Sequence, residues 1–110
     1  MALIERDAKI VNPLGMHVRP GAEFVKLATR FKSNVKVRKG DSVVNGKSIL
    51  GMMTLEAACG STITIIVEGE DAEAAMEALC GLVAAGFNEM HLTRDAEAAD
   101  AGAEEGGADA

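Results

Sequence analysis

Ser61-Thr62-Ile63-Thr64-Ile65-Ile66-Val67-Glu68 is the stretch on which the fold turns. Its β-branched residues alternate, with Ile63, Ile65 and Val67 on one side and Thr62 and Thr64 on the other, the period of two of a strand with one buried face. Helical signals flank it on both sides. Upstream, Ser48 is placed to cap a short helix whose Ile49, Met52 and Met53 share one side, and Gly60 lies just beyond its end. Downstream, Asp71 is placed to cap a last helix that turns Ala72, Met76, Leu79, Cys80, Val83 and Phe87 inward, with Gly86 loosening or ending it.

Further out, Ile4, Ala8 and Ile10 alternate with Glu5, Asp7 and Lys9, despite Arg6 on the apolar side, and Asn12-Pro13 and Gly15 stop that strand. Phe24, Leu27, Ala28 and Phe31 then recur at i, i+3, i+4 and i+7, an amphipathic helix. Val35 and Val37 alternate with Lys36 and Arg38, and a turn at Gly40-Asp41 leads into Ser42 to Val44 and Asn45-Gly46, which reads as a hairpin. The order is βαββαβα. Strands interrupted by helices yet paired through a hairpin predict an α+β layer, a four-stranded antiparallel sheet with three helices on one face.

The 110 residues amount to one core, and no apolar run approaches a membrane span. Glu5, Arg6, Asp7 and Lys9 break the place where a signal peptide would carry its apolar stretch, so a cytoplasmic location is expected. Residues 1–47 carry 10 Lys and Arg against 4 Asp and Glu, residues 48–94 carry 1 against 7, and residues 95–110 carry 0 against 6. The body is thus neutral but polarised. That balance, with no Trp, no Tyr and three Phe, argues against nucleic acid, while the basic first half suits an acidic protein partner. From Asp95 only Ala, Gly, Asp and Glu occur, so the chain divides into a folded domain at 1–90 and an acidic tail at 91–110 that is expected to be disordered. Cys59 and Cys80 lack metal or redox spacing and read as reduced and inert; no metal or cofactor is implied, and His91 reads as solvated.

The two prolines, Pro13 and Pro20, bracket Gly15-Met16-His17-Val18-Arg19 at the seam between the first strand and the first helix. Proline is tolerated in a first helical turn, so a helix beginning near His17 or Val18 fits. His17 then stands at a helix N-terminus, where free N–H groups and the dipole favour an anion and an uncharged, nucleophilic imidazole. Arg19 adds a fixed cation. These are the requirements for transient phosphorylation of histidine, although residue types alone suit an ordinary capping histidine as well. No Walker loop, GxGxxG or acid pair is present, so the chain can receive a phosphoryl group but not draw one from a nucleotide, and it reads as a carrier, not an enzyme.

Two separated segments, Asn12-Pro13-Leu14-Gly15-Met16-His17-Val18-Arg19-Pro20 and Asn45-Gly46-Lys47-Ser48-Ile49-Leu50-Gly51-Met52-Met53-Thr54-Leu55, closely resemble the HPr family of histidine phosphocarriers in the bacterial phosphoenolpyruvate-dependent sugar phosphotransferase system. The resemblance spans about residues 3–88 and implies the family's open-faced sandwich. It implies that His17 accepts a phosphoryl group on Nδ1 from enzyme I and passes it to the A component of an enzyme II permease, with Arg19 partnering the phosphate. It further implies that Ser48 is a regulatory serine for an ATP-dependent kinase, HPr kinase/phosphorylase, and that Ile49, Leu50, Met52 and Met53 form the docking surface of a monomer. On helical spacing, one of the two methionines faces inward. Val18 and Gly21 stand where the family usually has alanine. Two other readings stay open: a nitrogen-related regulatory phosphocarrier of the same family, and an interaction module controlled through Ser48.

Overall fold

The structure, a computed structural model, describes residues 2–88. The expected boundary at residue 90, the acidic tail at 91–110 and His91 lie outside these residues. The chain runs β1 (Ala2–Lys9), α1 (Val18–Ala28), β2 (Asn34–Lys39), β3 (Ser42–Asn45), α2 (Ile49–Thr54), β4 (Thr62–Gly69) and α3 (Ala72–Ala84), and closes with a 3-10 turn at Gly86–Asn88. This is the predicted βαββαβα order.

β4 is central because its alternation buries one whole side: Ile63, Ile65 and Val67 are fully enclosed. It pairs antiparallel with β1, setting Ile4 opposite Val67 and Ala8 opposite Ile63. On its other side it pairs antiparallel with β2, setting Val37 opposite Ile65 and Val35 opposite Val67. β3 completes the sheet in the order β1-β4-β2-β3. The helices contribute Phe24, Ala28, Met52, Ala72, Ala75, Met76, Leu79 and Val83 to one core against this side. Each large apolar side chain enclosed there contributes about 1.5–3 kcal/mol. The other side of the sheet is open and mostly polar, Leu3, Val43 and Ile66 excepted, with Thr64 Oγ1 donating to Asp7 Oδ1 at 2.7 Å and Arg38 reaching Glu5 at 3.8 Å. Arg6 pairs with Ile65, so it lies on the helix-facing side, yet it is exposed because β1 is an edge strand.

Four local expectations are corrected. Phe31 is not on α1, which ends at Ala28; it is half-buried in the following turn. α2 ends at Thr54, well before Gly60: Leu55 still has helical angles, but Glu56 turns to φ +52°, which breaks the helix, and Leu55 and Ala57 enter the core on either side of it. Ile49, Met52 and Met53 share the spacing of one helix side but are not buried alike: Ile49 is exposed, whereas Met52 is enclosed and Met53 half-buried.

The fourth correction concerns Asp71, which occupies the N-cap position of α3 but makes no side-chain cap. Its carboxylate turns away to accept from the backbone N–H groups of Lys32 (2.8 Å) and Ser33 (2.9 Å) and from the Ser33 hydroxyl. The start of α3 is thereby tied to the end of the α1–β2 connection, where Ser33 is buried. The hydroxyl of Ser33 and the N–H of Lys32 hold the Asp71 carboxyl below its ordinary value of 3.8. A carboxyl lowered on folding stabilises the fold fully above its unfolded value, and the contribution is lost as pH falls through the folded one. Asp71→Ala should therefore lower the thermal unfolding midpoint at pH 7, with the gap to wild type narrowing as pH drops below 3.8. Calorimetry across a pH series checks this.

Candidate functional site

The site begins where β1 gives way to a loop. Ile10 donates to the Ser61 carbonyl (2.9 Å) and accepts from Gly60 (2.7 Å), which brings the loop after β1 beside the loop before β4. Gly15 has φ +71°, a conformation that suits glycine, and a Cβ there would lie 2.6 Å from the Ala57 carbonyl oxygen. The close approach lets Met16 donate to that same carbonyl at 2.7 Å. Met16 is buried, and His17 follows it in extended conformation (φ −124°, ψ −165°) as the N-cap residue of α1.

His17 is half-buried, its ring does not cap the helix, and its carbonyl accepts from Gly21 at 2.9 Å. The geometry of a helix start leaves the N–H groups of Val18 and Arg19 without an intrahelical acceptor, and Pro20 has none to offer. Donors therefore face outward next to His17. Arg19 is exposed in the same turn, and Pro20 is buried as the anchor beneath it. At this place an anion beside the imidazole would meet two peptide dipoles, the helix end and the guanidinium of the same turn.

Ser48 lies on a different element. It is half-buried at the N-cap of α2, where its Oγ accepts from Gly51 N–H at 3.0 Å. Lys47, the neighbouring cation, is already committed: its Nζ donates to the Phe31 carbonyl at 2.7 Å, beyond the far end of α1. Of the four expected docking residues, Leu50 (80% exposed) and Ile49 (43%) present apolar surface, Met53 is half-buried and Met52 is wholly core. Sequence reasoning missed two further exposed apolar residues flanking His17, namely Leu14 (68%) and Val18 (67%). The available signal was that Leu14 stands between Pro13 and Gly15, where no periodic face leads to a core.

α1 and α2 meet at Gly21. A Cβ on that residue would run into Met53 Cε and lie 3.8 Å from Met52 Cβ and 3.9 Å from Met16 Sδ. Met16, Gly21 and Met53 thus join the His17 loop to the exposed side of α2. Among the described residues no cluster of His, Cys, Asp or Glu is arranged to hold a metal, and no helix is long and apolar enough to cross a membrane.

A family model described as "PTS HPr component phosphorylation site" matches residues 4–85. The chain belongs to the HPr phosphocarrier family. Among its relatives, the phosphocarrier protein HPr of Cupriavidus necator is 42% identical over 87 residues, covering 79% of this chain and 98% of that protein. The phosphocarrier protein NPr of Shewanella violacea is 38% identical over 89 residues, covering 81% and 98%. Among solved structures, HPr from Thermoanaerobacter tengcongensis superposes with a TM-score of 0.75 at 40% identity, covering 78% of this chain and 97% of that one. Members of the family are carriers of phosphoryl groups, not enzymes, and the open antiparallel sheet with three helices is theirs. At Gly21, where the family usually has alanine, the Met53 methyl that a new Cβ would strike is the free end of a flexible chain. Gly21→Ala should therefore stabilise the protein by about 0.5–1 kcal/mol, the usual gain for removing glycine from a helix. Urea unfolding measures the gain, and the Met53 methyl resonance should shift as the side chain yields.

Proposed function

We propose that this protein is a cytoplasmic monomer that accepts a phosphoryl group from enzyme I on Nδ1 of His17 and passes it to the A component of an enzyme II in sugar uptake. The observation that carries this reading is the coincidence, in one helical turn, of a half-buried imidazole, two backbone N–H groups without an intrahelical acceptor, and the Arg19 guanidinium. The imidazole nitrogen attacks phosphorus as the donor's bond to phosphorus breaks. The N–H groups and Arg19 hold the phosphoryl oxygens in both directions of transfer. Leu14, Val18, Ile49 and Leu50 supply the apolar rim on which enzyme I and the A component dock, and their exposure supports that role.

Ser48 supplies the regulation, as a substrate of an HPr kinase/phosphorylase. A phosphate there adds about −1.5 to −2 charge beside Ile49 and Leu50. Lys47 is held by the Phe31 carbonyl and does not offset it. Docking, not the chemistry of His17, then bears the cost, because a dianion must be desolvated at the interface. The similarity to an NPr protein favours a second reading, the nitrogen-related branch of the family, in which the same histidine is used without a sugar permease.

Incubation with phosphoenolpyruvate and either the sugar-type or the nitrogen-type enzyme I decides between the two, through the rate at which an acid-labile, base-stable phosphate appears. His17→Ala should abolish labelling; retained labelling would refute the assignment. Arg19→Ala should slow transfer roughly ten- to hundredfold with an unchanged unfolding midpoint, since a charge-assisted contact is worth about 1.5–3 kcal/mol only while phosphate is present. Ser48→Asp should raise the KM for enzyme I and leave thermal stability near wild type, which steady-state kinetics and calorimetry together test.

A further inference from the structure

We infer that Asn12 is a positioning residue for His17: its carboxamide grips one side of the Gly15–Met16 peptide group and so fixes where the imidazole stands. The inference rests on the carrier reading above, and it gives Asn12 its role through the backbone that carries His17.

Asn12 is fully buried, a condition it shares among polar residues only with Ser33 in the described part of the chain. An enclosed carboxamide is costly unless its bonds are made. Its Nδ2 donates to the Gly15 carbonyl at 2.8 Å, and the Gly15 N–H returns to the backbone carbonyl of Asn12 at 3.0 Å. Side chain and main chain of one residue thus close the Pro13-Leu14 turn from both ends. A carbonyl oxygen can only accept, so this contact requires the NH2 end of the amide to face Gly15.

The carbonyl that Asn12 holds and the N–H that Ala57 holds belong to the same peptide group. Gly15 O accepts from Asn12 Nδ2 on one side, and Met16 N–H donates to Ala57 O at 2.7 Å on the other. Held at two opposed points, the peptide plane cannot rock, and one residue later the chain is His17. On the far side of His17 the start of α1 takes over, with Gly21 N–H bonded to the His17 carbonyl and Pro20 buried. The histidine therefore stands between a clamped peptide and a fixed helix end. Without Asn12 the peptide keeps only the Ala57 bond, about which it can pivot, because glycine at position 15 has no side chain to oppose rotation. Small displacements of a reacting group are expensive in rate and nearly silent in affinity.

The test compares Asn12→Asp, Asn12→Ala and Val67→Ala with wild type, all as the full chain. The aspartate keeps the size of the side chain and replaces the donor facing Gly15 with an acceptor. Val67 is buried on β4 near its Gly69 end, away from the Gly60–Ser61 end beside the His17 loop, so its variant reports lost stability alone. Both Asn12 variants should lower kcat for phosphoryl transfer from enzyme I at least tenfold with KM within about twofold. Both should also speed amide hydrogen exchange at Met16 at least tenfold while the Ile65 amide stays protected. Val67→Ala should reduce the unfolding midpoint and leave kcat unchanged. Asn12→Asp with wild-type kcat and wild-type exchange at Met16 would overturn the inference, as would an equal loss of kcat in Val67→Ala. Should wild type itself accept no phosphate on His17, the carrier reading fails on its own, and the exchange at Met16 still decides whether Asn12 is the clamp.

Discussion

The hydrogen bond from Met16 N–H to the Ala57 carbonyl, 2.7 Å long, joins the loop that enters α1 to the loop that leaves α2. It forms because Gly15 brings its backbone closer to Ala57 and Ala58 than any residue with a Cβ allows. On this contact depend the direction in which α1 sets out, the extended conformation of His17 and the proximity of the two helices that carry the exposed apolar residues. A phosphoryl site of the kind proposed at His17 needs no large cavity. It needs a helix end whose donors point outward and an imidazole that does not wander, and both follow from the loop's attachment.

α1 is secured at its other end by different chemistry. Asp71 binds the backbone of Lys32 and Ser33, and Lys47 binds the carbonyl of Phe31, so charged side chains grip the turn that follows the helix. The Asp71 anchor draws the start of α3 toward this turn, while the Lys47 anchor draws in the segment just before Ser48. The cationic side chain of Lys47, next to Ser48 in the chain, is spent on holding the fold together. The consequence is electrostatic: charge added at Ser48 meets no ready counter-ion on its own segment. Among the described residues the buried core is apolar except for Asn12 and Ser33, whose side chains bond the Gly15 carbonyl and the Asp71 carboxylate.

Order and type of the elements were legible because each carries its period plainly. The alternation of Ile63, Ile65 and Val67 decides one strand, and Phe24 with Ala28 decides a helix face. His17 and Arg19 were legible as a pair because Pro20 marks the start of a helix and so fixes what lies at its end. Ser48 was legible as a cap, and its Oγ does bond Gly51 N–H. Asp71 was misread for an instructive reason. An aspartate before a helix has two uses for its carboxylate, the helix's own N–H groups or a donor elsewhere, and only the position of Ser33, 38 residues earlier in the chain, decides between them.

The amino-acid sequence by itself determined the βαββαβα order and the residue types available at positions 17 and 19, because hydrophobic period, proline placement and residue type are local properties. Tertiary structure alone decided which methionine of α2 enters the core, that Leu14 and Val18 stand exposed beside His17, and that Asn12 and Ala57 hold the same peptide from opposite sides. Those facts depend on contacts between segments distant in the sequence, as between Met16 and Ala57, and a local pattern carries no information about which distant atom will occupy the other side of a bond.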